Sequence, residues 1–223
     1  MKKDAIREIV KEFALFSRLD QGQLDRLLEH ASVMDIPKKS LFFSEDKAAK
    51  GLHVLLSGKV KLFKIGEDGK EQTIFLFGPG EPFCLCSTFS DGVLPANLGA
   101  LEDSRVLYLS PPEFELLVRE DPTTLLNMMR VMSRRLKEAM DMIDSLSLKQ
   151  VPSRLLAYFE SREQNGRIEL GLSHRELAKI IGITPEALSR TLRKMAEDGQ
   201  ILMDEGGILL PDRLPVEPKP NLR

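Results

Sequence analysis

The sequence predicts an α+β chain in three parts, on three observations. Between residues 32 and 110, short apolar runs alternate at period two and are cut by glycines. Between 112 and 147, apolar residues recur every three or four positions. From 173 to 199, polar caps, a glycine and a proline punctuate two short amphipathic segments. Strand period, helix period and helix-stop signals therefore follow one another along the chain. At 223 residues the chain can hold more than one core.

The first part, 1–111, opens with helices at 2–30. Ile6, Ile9, Val10, Phe13 and Ala14, then Leu24, Leu27 and Leu28, keep helical spacing. A break at Ser17-Arg18-Leu19-Asp20 separates them, and Asp20 with Gln23 forms a capping box. The texture then changes. Leu52, Val54 and Leu56 alternate with other residues, as do Val60 with Leu62 and Ile74 with Leu76. Gly66-Glu67-Asp68-Gly69 reads as a hairpin tip. Short strands with turn signals about every ten residues imply a sandwich or barrel, that is, a β-roll.

The second part, 112–147, reads as one long helix. Leu125, Met129, Met132, Leu136, Ala139, Ile143 and Leu146 are spaced alternately by four and three, a seam of the coiled-coil type. Met128, Val131, Met140 and Met142 widen its apolar surface. Two readings are open. The seam is the interface of a two-fold homodimer, or the helix lays this face on the roll.

The third part, 148–223, begins with a helix at 150–163. Ser173-His174-Arg175-Glu176 is a capping box ahead of Leu177, Ala178, Ile180 and Ile181. Gly182-Ile183-Thr184 makes a short turn. Thr184 caps a second helix with Pro185 at its first position, and that helix runs through Leu188, Leu192 and Met195 to Gly199. Two helices joined by so short a turn are a helix-turn-helix. The apolar runs at 201–203 and 208–210, around Asp204-Glu205-Gly206-Gly207, read as a hairpin wing, and the proline-rich tail from Pro211 as irregular.

Composition excludes several classes. No apolar run approaches the roughly 20 residues of a membrane span, and the charged start shows no signal peptide. Cys84 and Cys86, one residue apart, are unsuited to a structural disulfide, so a reducing, cytoplasmic setting is expected. The three histidines, His30, His53 and His174, give no metal set, and no nucleophile–base motif stands out, so no enzyme is expected. Residues 148–223 carry 12 Lys and Arg against 11 Asp and Glu, so a DNA-binding surface must concentrate its charge on one face.

The order of roll, heptad helix and winged helix resembles the CRP/FNR family of bacterial transcription regulators over nearly the whole chain. Gly51-Leu52-His53-Val54-Leu55-Leu56-Ser57-Gly58-Lys59-Val60 is similar to the family's strand pair around a Ser-Gly turn. Phe77-Gly78-Pro79-Gly80-Glu81-Pro82-Phe83 is similar to its approach to the ligand pocket. The resemblance implies a cyclic-nucleotide-binding-like roll, a homodimer, and palindromic double-stranded DNA as partner, with RNA polymerase joining if the protein activates. A cyclic-nucleotide-regulated enzyme or channel module is the rival reading, opposed by the complete helix-turn-helix.

On the recognition helix, Glu186, Ser189 and Arg190 share a face opposite Leu188, Leu192 and Met195. Glutamate accepts from cytosine N4 and arginine forks onto guanine O6 and N7, so the pair suits one G·C pair; the alternative is an intrahelical Glu186–Arg190 ion pair. The Glu-x-x-Ser-Arg pattern resembles the FNR branch, which implies TTGA-like half-sites. His174, Arg175, Lys179, Thr184, Arg193 and Lys194 are the expected phosphate contacts, each otherwise a solvated surface group.

Glu81 matches the family's ribose-binding glutamate. The family's phosphate-binding Arg-Ser pair falls near Leu94-Pro95-Ala96-Asn97, and no Arg or Lys occurs from Glu81 to Ser104. cAMP is therefore disfavoured. Two cysteines are too few for the four-cysteine iron–sulfur cluster of the oxygen-sensing branch. Phe83-Cys84-Leu85-Cys86-Ser87 resembles the haem-ligand segment of the family's carbon-monoxide sensor, with Cys84 on the ligating cysteine. The resemblance extends to the family's denitrification and nitrosative-stress regulators, which lack the cluster cysteines. Haem with nitric oxide or carbon monoxide thus leads among named effectors, with Cys84 and Cys86 as metal ligands and His30, His53 or the N-terminus as other donors. The alternative is that both cysteines are small buried apolar residues, and a thiol switch or an organic effector serves instead. The expected effector pocket comprises Glu81, Phe83, Cys84, Cys86, Pro95 and Ala96.

Overall fold

The computed structural model describes residues 3–90, 92–165, 167–204 and 207–211. The chain divides into two compact units, Met1–Met140 and Asp141–Arg223. Among the described residues no helix is long and apolar enough to cross a membrane.

The first unit opens with α1 (Lys3–Val10) and α2 (Gln21–His30). Sequence spacing extends the first helix to Ala14, but it ends at Val10. Tight turns follow, such as Phe13 N–H to Val10 O and Phe16 N–H to Phe13 O. These turns bury Phe13, Leu15 and Phe16 together, which a continuing helix would spread around its circumference. The capping box is formed: Gln23 N–H donates to Asp20 Oδ1 at 2.8 Å, and Asp20 N–H to Gln23 Oε1 at 2.9 Å.

The roll follows as β1 (Ser32–Ile36), β2 (Leu41–Phe43), β3 (Leu52–Ser57), β4 (Val60–Ile65), β5 (Glu71–Phe77), β6 (Pro82–Phe83), α3 (Leu85–Phe89), β7 (Asn97–Ala100) and β8 (Ser104–Leu109). Two four-stranded antiparallel sheets result, ordered β1-β8-β3-β6 and β2-β7-β4-β5. Leu55, Val60, Phe77, Phe83, Leu98 and Val106 are among the side chains of the core they share. The hairpin tip at 66–69 forms as expected, with Gly66 N–H donating to Lys70 O at 2.8 Å.

Two expectations are corrected here. Leu52, Val54 and Leu56 do share a face, but five consecutive residues of β3 are buried. The face of Leu52, Val54 and Leu56 covers the helical core with Val10, Leu27 and Phe114, and the Leu55 face looks into the roll. The segments around Ser57-Gly58 are not hydrogen-bonded to each other either: β3 and β4 belong to different sheets, and the chain crosses between them at Gly58. There φ is +89°, and an added Cβ would meet Ser104 Oγ at 2.4 Å and Asp103 O at 2.5 Å, so only glycine fits.

The single helix expected at 112–147 is two, α4 (Pro111–Glu120) and α5 (Pro122–Leu148). Pro122 lacks an N–H and forces Asp121 out of helical geometry, to φ −136° and ψ 91°. Asp121 restarts the next helix by accepting from Thr123 N–H at 3.0 Å. Phe114, Leu117 and Met128 join the helical core of the first unit, which is why α4 and most of α5 belong to it rather than forming a part of their own.

The second unit contains the C-terminal end of α5, then α6 (Val151–Glu160), β9 (Arg167–Ile168), α7 (His174–Ile181), α8 (Pro185–Glu197), β10 (Leu202–Asp204) and β11 (Gly207–Leu209). The expected two-stranded wing has a third strand, with order β10-β11-β9. Its core includes Leu155, Phe159, Ile168, Leu177, Leu192 and Ile208. The Glu205-Gly206 wing tip and the tail from 212 lie outside the described residues.

Candidate functional site

Two sites emerge, one in each unit. In the second unit, Ser173 Oγ accepts from Glu176 N–H at 3.2 Å and opens α7. Gly182 closes it with φ +78°, and Gly182 and Ile183 N–H both donate to Ala178 O, at 2.9 and 3.0 Å. Thr184 Oγ1 accepts from Ala187 N–H at 3.2 Å and opens α8. These local bonds fix the turn, so the orientation of α8 on the core follows from Leu188, Leu192 and Met195, all buried.

The opposite face of α8 is open. Glu186, Ser189, Arg190, Arg193 and Lys194 are exposed together, as the spacing requires. The Glu186 carboxyl is held below its ordinary range, first by its own backbone N–H, then by the Thr184 hydroxyl, with the Arg190 charge the last of its causes. An ionised carboxylate in the first turn of a helix is the acceptor that a cytosine amino group needs. His174 and Arg175 are exposed in the first turn of α7. Lys179 is half-buried and bridges Glu176 at 2.9 Å, and the Thr184 hydroxyl is engaged as a cap.

Two supports escape sequence reasoning. Arg154 Nη1 donates to Ile181 O at 2.9 Å and ties α6 to the end of α7. Arg167 forks onto Asp204 at 3.1 and 2.8 Å, bridging the outer strands of the wing. Each partner lies tens of residues away, so no local pattern marks them.

In the first unit a cavity of about 470 Å³ lies between the roll and α5. Phe83, Cys84, Cys86 and Pro95 line it as expected, with Phe75, Phe77 and Leu94. Ala96 is buried but not part of the wall. Glu81, also expected there, is not part of the wall; it accepts from Gly78 N–H and from the wall residue Arg135, both at 2.8 Å.

Arg135, from α5, is the residue the sequence reading missed. It is the one cation in the cavity wall among the described residues. It also donates to Glu138 at 2.7 Å, and its guanidinium lies 5.1 and 4.8 Å from the ring centroids of Phe75 and Phe77. The segment 81–104 carries no Arg or Lys, whereas the wall is completed from residue 131 onward. The available signal was a charge immediately beside seam residue Leu136.

The seam itself divides. Met132, Leu136 and Ala139 line the cavity rim, while Met129 and Ile143 are 58% and 64% exposed in the single chain. Leu125 and Ala139 are half-buried, and Leu146 is exposed. Part of the seam thus faces the roll's cavity, and the rest is left exposed in the single chain.

To a haem the wall offers two thiols and, among the described residues, no imidazole. Burial, with the neighbouring Cys86 second, pushes the metal-free Cys84 thiol far above its ordinary value, so it stands there as a neutral thiol. Cys84 also sits in the left-handed region, at φ +59°, as the N-cap of α3. Cys86 is an exposed free thiol. No imidazole lines the cavity: His53 is enclosed by Phe42, Phe43, Phe83 and Tyr108, and His30 lies 3.7 Å from Glu113. The N-terminus lies outside the described residues.

Comparisons with known proteins agree with this architecture. Residues 33–121 match the sequence profile of the cyclic nucleotide-binding domain, and residues 151–214 that of the Crp-like helix-turn-helix domain. The chain is 30% identical over 200 residues to the cyclic AMP receptor protein of Thermus thermophilus, covering 89% of this chain and 93% of that one. It is 28% identical over 187 residues to the fumarate and nitrate reduction regulatory protein of Salmonella typhimurium, covering 80% and 74%. In fold it is similar to the c-di-GMP responsive regulator CLP of Xanthomonas campestris, with TM-score 0.73 at 20% identity over 86% of this chain and 99% of that one. It is likewise similar to CooA of Carboxydothermus hydrogenoformans, with TM-score 0.74 at 23% identity over 91% and 90%. A nucleotide-binding-type roll, a long helix and a Crp-like helix-turn-helix, joined in one chain and matched over most of its length by the Thermus relative, place this chain in the CRP/FNR family of transcription regulators.

Proposed function

We propose that the protein is a homodimeric, effector-gated regulator that acts in the cytoplasm and reads palindromic DNA of the FNR type, with TTGA-like half-sites. The observation that carries this is the exposed face of α8, where Glu186, Ser189 and Arg190 stand together above a core that fixes their direction. An ionised Glu186 and a fork-shaped Arg190 address the two bases of one G·C pair. Arg193 and Lys194, with His174 and Arg175, supply phosphate contacts at its border. The exposed remainder of the seam, Met129, Ile143 and Leu146, pairs two chains.

The effector occupies the cavity between the roll and α5. Because Met132, Leu136 and Ala139 belong both to the cavity wall and to the seam, a ligand there touches the helix that joins the two chains. A cyclic nucleotide is the second reading. It rests on the Thermus relative, a cyclic AMP receptor protein, and on Arg135, a cation in the wall that the 81–104 segment lacks.

Selection from random DNA tests the reading. The parent should enrich a palindrome with a fixed G·C pair in each half. Arg190→Ala should lose roughly 1–3 kcal/mol of discrimination at that pair, while Arg193→Ala should weaken all sequences alike and reduce the salt slope by about one. An unchanged motif with Arg190→Ala overturns the assignment.

A further inference from the structure

The cavity wall is built for an amphiphile. Its lining is apolar and aromatic almost throughout, and one corner holds Arg135. Phe75 and Phe77 hold the guanidinium from beside, and Glu81 holds it from the roll. Glu81 is fixed in turn by the Gly78 N–H. Glu138 differs: it lies one turn along the same helix, its side chain is 40% exposed, and it is tied to Arg135 alone among the described residues. The Arg135 Nε–H is buried and has no partner. Nη2 is held by Glu81 and by Leu76 O at 3.4 Å, so the exchangeable place on the guanidinium is Nη1, where Glu138 sits, and the volume lies within the roughly 300–1,000 Å³ usual for small-molecule sites.

We propose that the cavity binds a monocarboxylic acid with an aryl or alkyl body, the ligand carboxylate taking the place of Glu138 on Arg135. The inference rests on the reading of this cavity as the effector site. Binding exchanges one ion pair for another: Glu138 swings into water, where its charge is solvated, and the ligand carboxylate accepts from the Nη1 that Glu138 leaves. The apolar body supplies the affinity by leaving water, and the guanidinium charge supplies the selection for an acid over its neutral analogues.

Calorimetric titration of the full chain with 4-phenylbutyrate and with 4-phenylbutyramide tests this. The acid should bind at least about tenfold more tightly than the amide. Glu138→Gln should bind the acid more tightly than the parent does, a gain that misfolding cannot imitate. Arg135→Gln should bind acid and amide alike. Equal binding of the two by the parent, or binding of neither, overturns the proposal. DNA affinity separates this from the broader reading. If cAMP shifts it and the acid neither binds nor shifts it, the effector cavity stands and the carboxylate class falls. If the acid binds as described and no cavity ligand shifts DNA affinity, the ligand class stands and the gating falls.

Discussion

Two polar side chains in the first unit, one buried and one half-buried, show how differently a residue's role can be encoded. His53 is enclosed by four aromatic rings, and its Nδ1 has no partner. Desolvation lowers its pKa from 6.5 to about 4, with a hydrogen bond to the Gly51 backbone opposing in part. The unfolded chain therefore takes up a proton near pH 6.5 and the folded chain only near 4. The stabilisation is whole above pH 6.5 and is lost as the pH falls towards 4, by roughly 3 kcal/mol. Urea unfolding from pH 7 to 4.5 should show the parent losing more stability than His53→Phe, which cannot titrate; parallel losses would exclude this role. The burial of His53 was visible in the sequence only as one position of an apolar strand. Arg135 was invisible as a pocket residue, because its partner Glu81 lies 54 positions away and no local period links them. The shared exposure of Glu186, Ser189 and Arg190, by contrast, was legible, since a helix whose apolar face is known leaves little choice for the other.

Among the elements, those fixed by local chemistry were legible and those fixed by distant packing were not. The capping residues Asp20, Ser173 and Thr184 each satisfy backbone N–H groups within three residues, so sequence spacing locates them directly. The double-sided burial of β3 depends on helices and a second sheet far along the chain, and alternation marks only half of it. Gly58 belongs to this distant class. Gly58→Ala should cost more than about 1 kcal/mol beyond Gly69→Ala, because both have positive φ but Gly69 has nothing within 4 Å. Equal urea midpoints for the two would show that the sheet-to-sheet crossing tolerates a methyl group. For α5 the seam predicts association. Met129→Glu with Ile143→Glu changes exposed positions away from the cavity, so chain stability should move by no more than about 0.5 kcal/mol while sedimentation reports monomers. A double variant that still sediments as a dimer removes the seam from the interface.

In the whole molecule, each unit has its own apolar core, and the sequence separated them because strand period and helix-turn punctuation differ so plainly. It drew the border of the long helix at the wrong place, because Phe114, Leu117 and Met128 commit α4 and most of α5 to the first unit by packing rather than by pattern. One shared surface has a thermodynamic result. Met132, Leu136 and Ala139 face both the cavity and the proposed partner chain, so occupancy and pairing draw on the same side chains. Two such equilibria on one surface are linked, and mass action then makes each depend on the amount of the other species. Diluting the protein should weaken its apparent effector affinity, and raising its level should sharpen it until pairing saturates. Titrations at nanomolar and micromolar chain should differ accordingly, and coincident curves would sever the two equilibria. A cell could then set the response threshold through the abundance of the regulator as well as through the level of its signal.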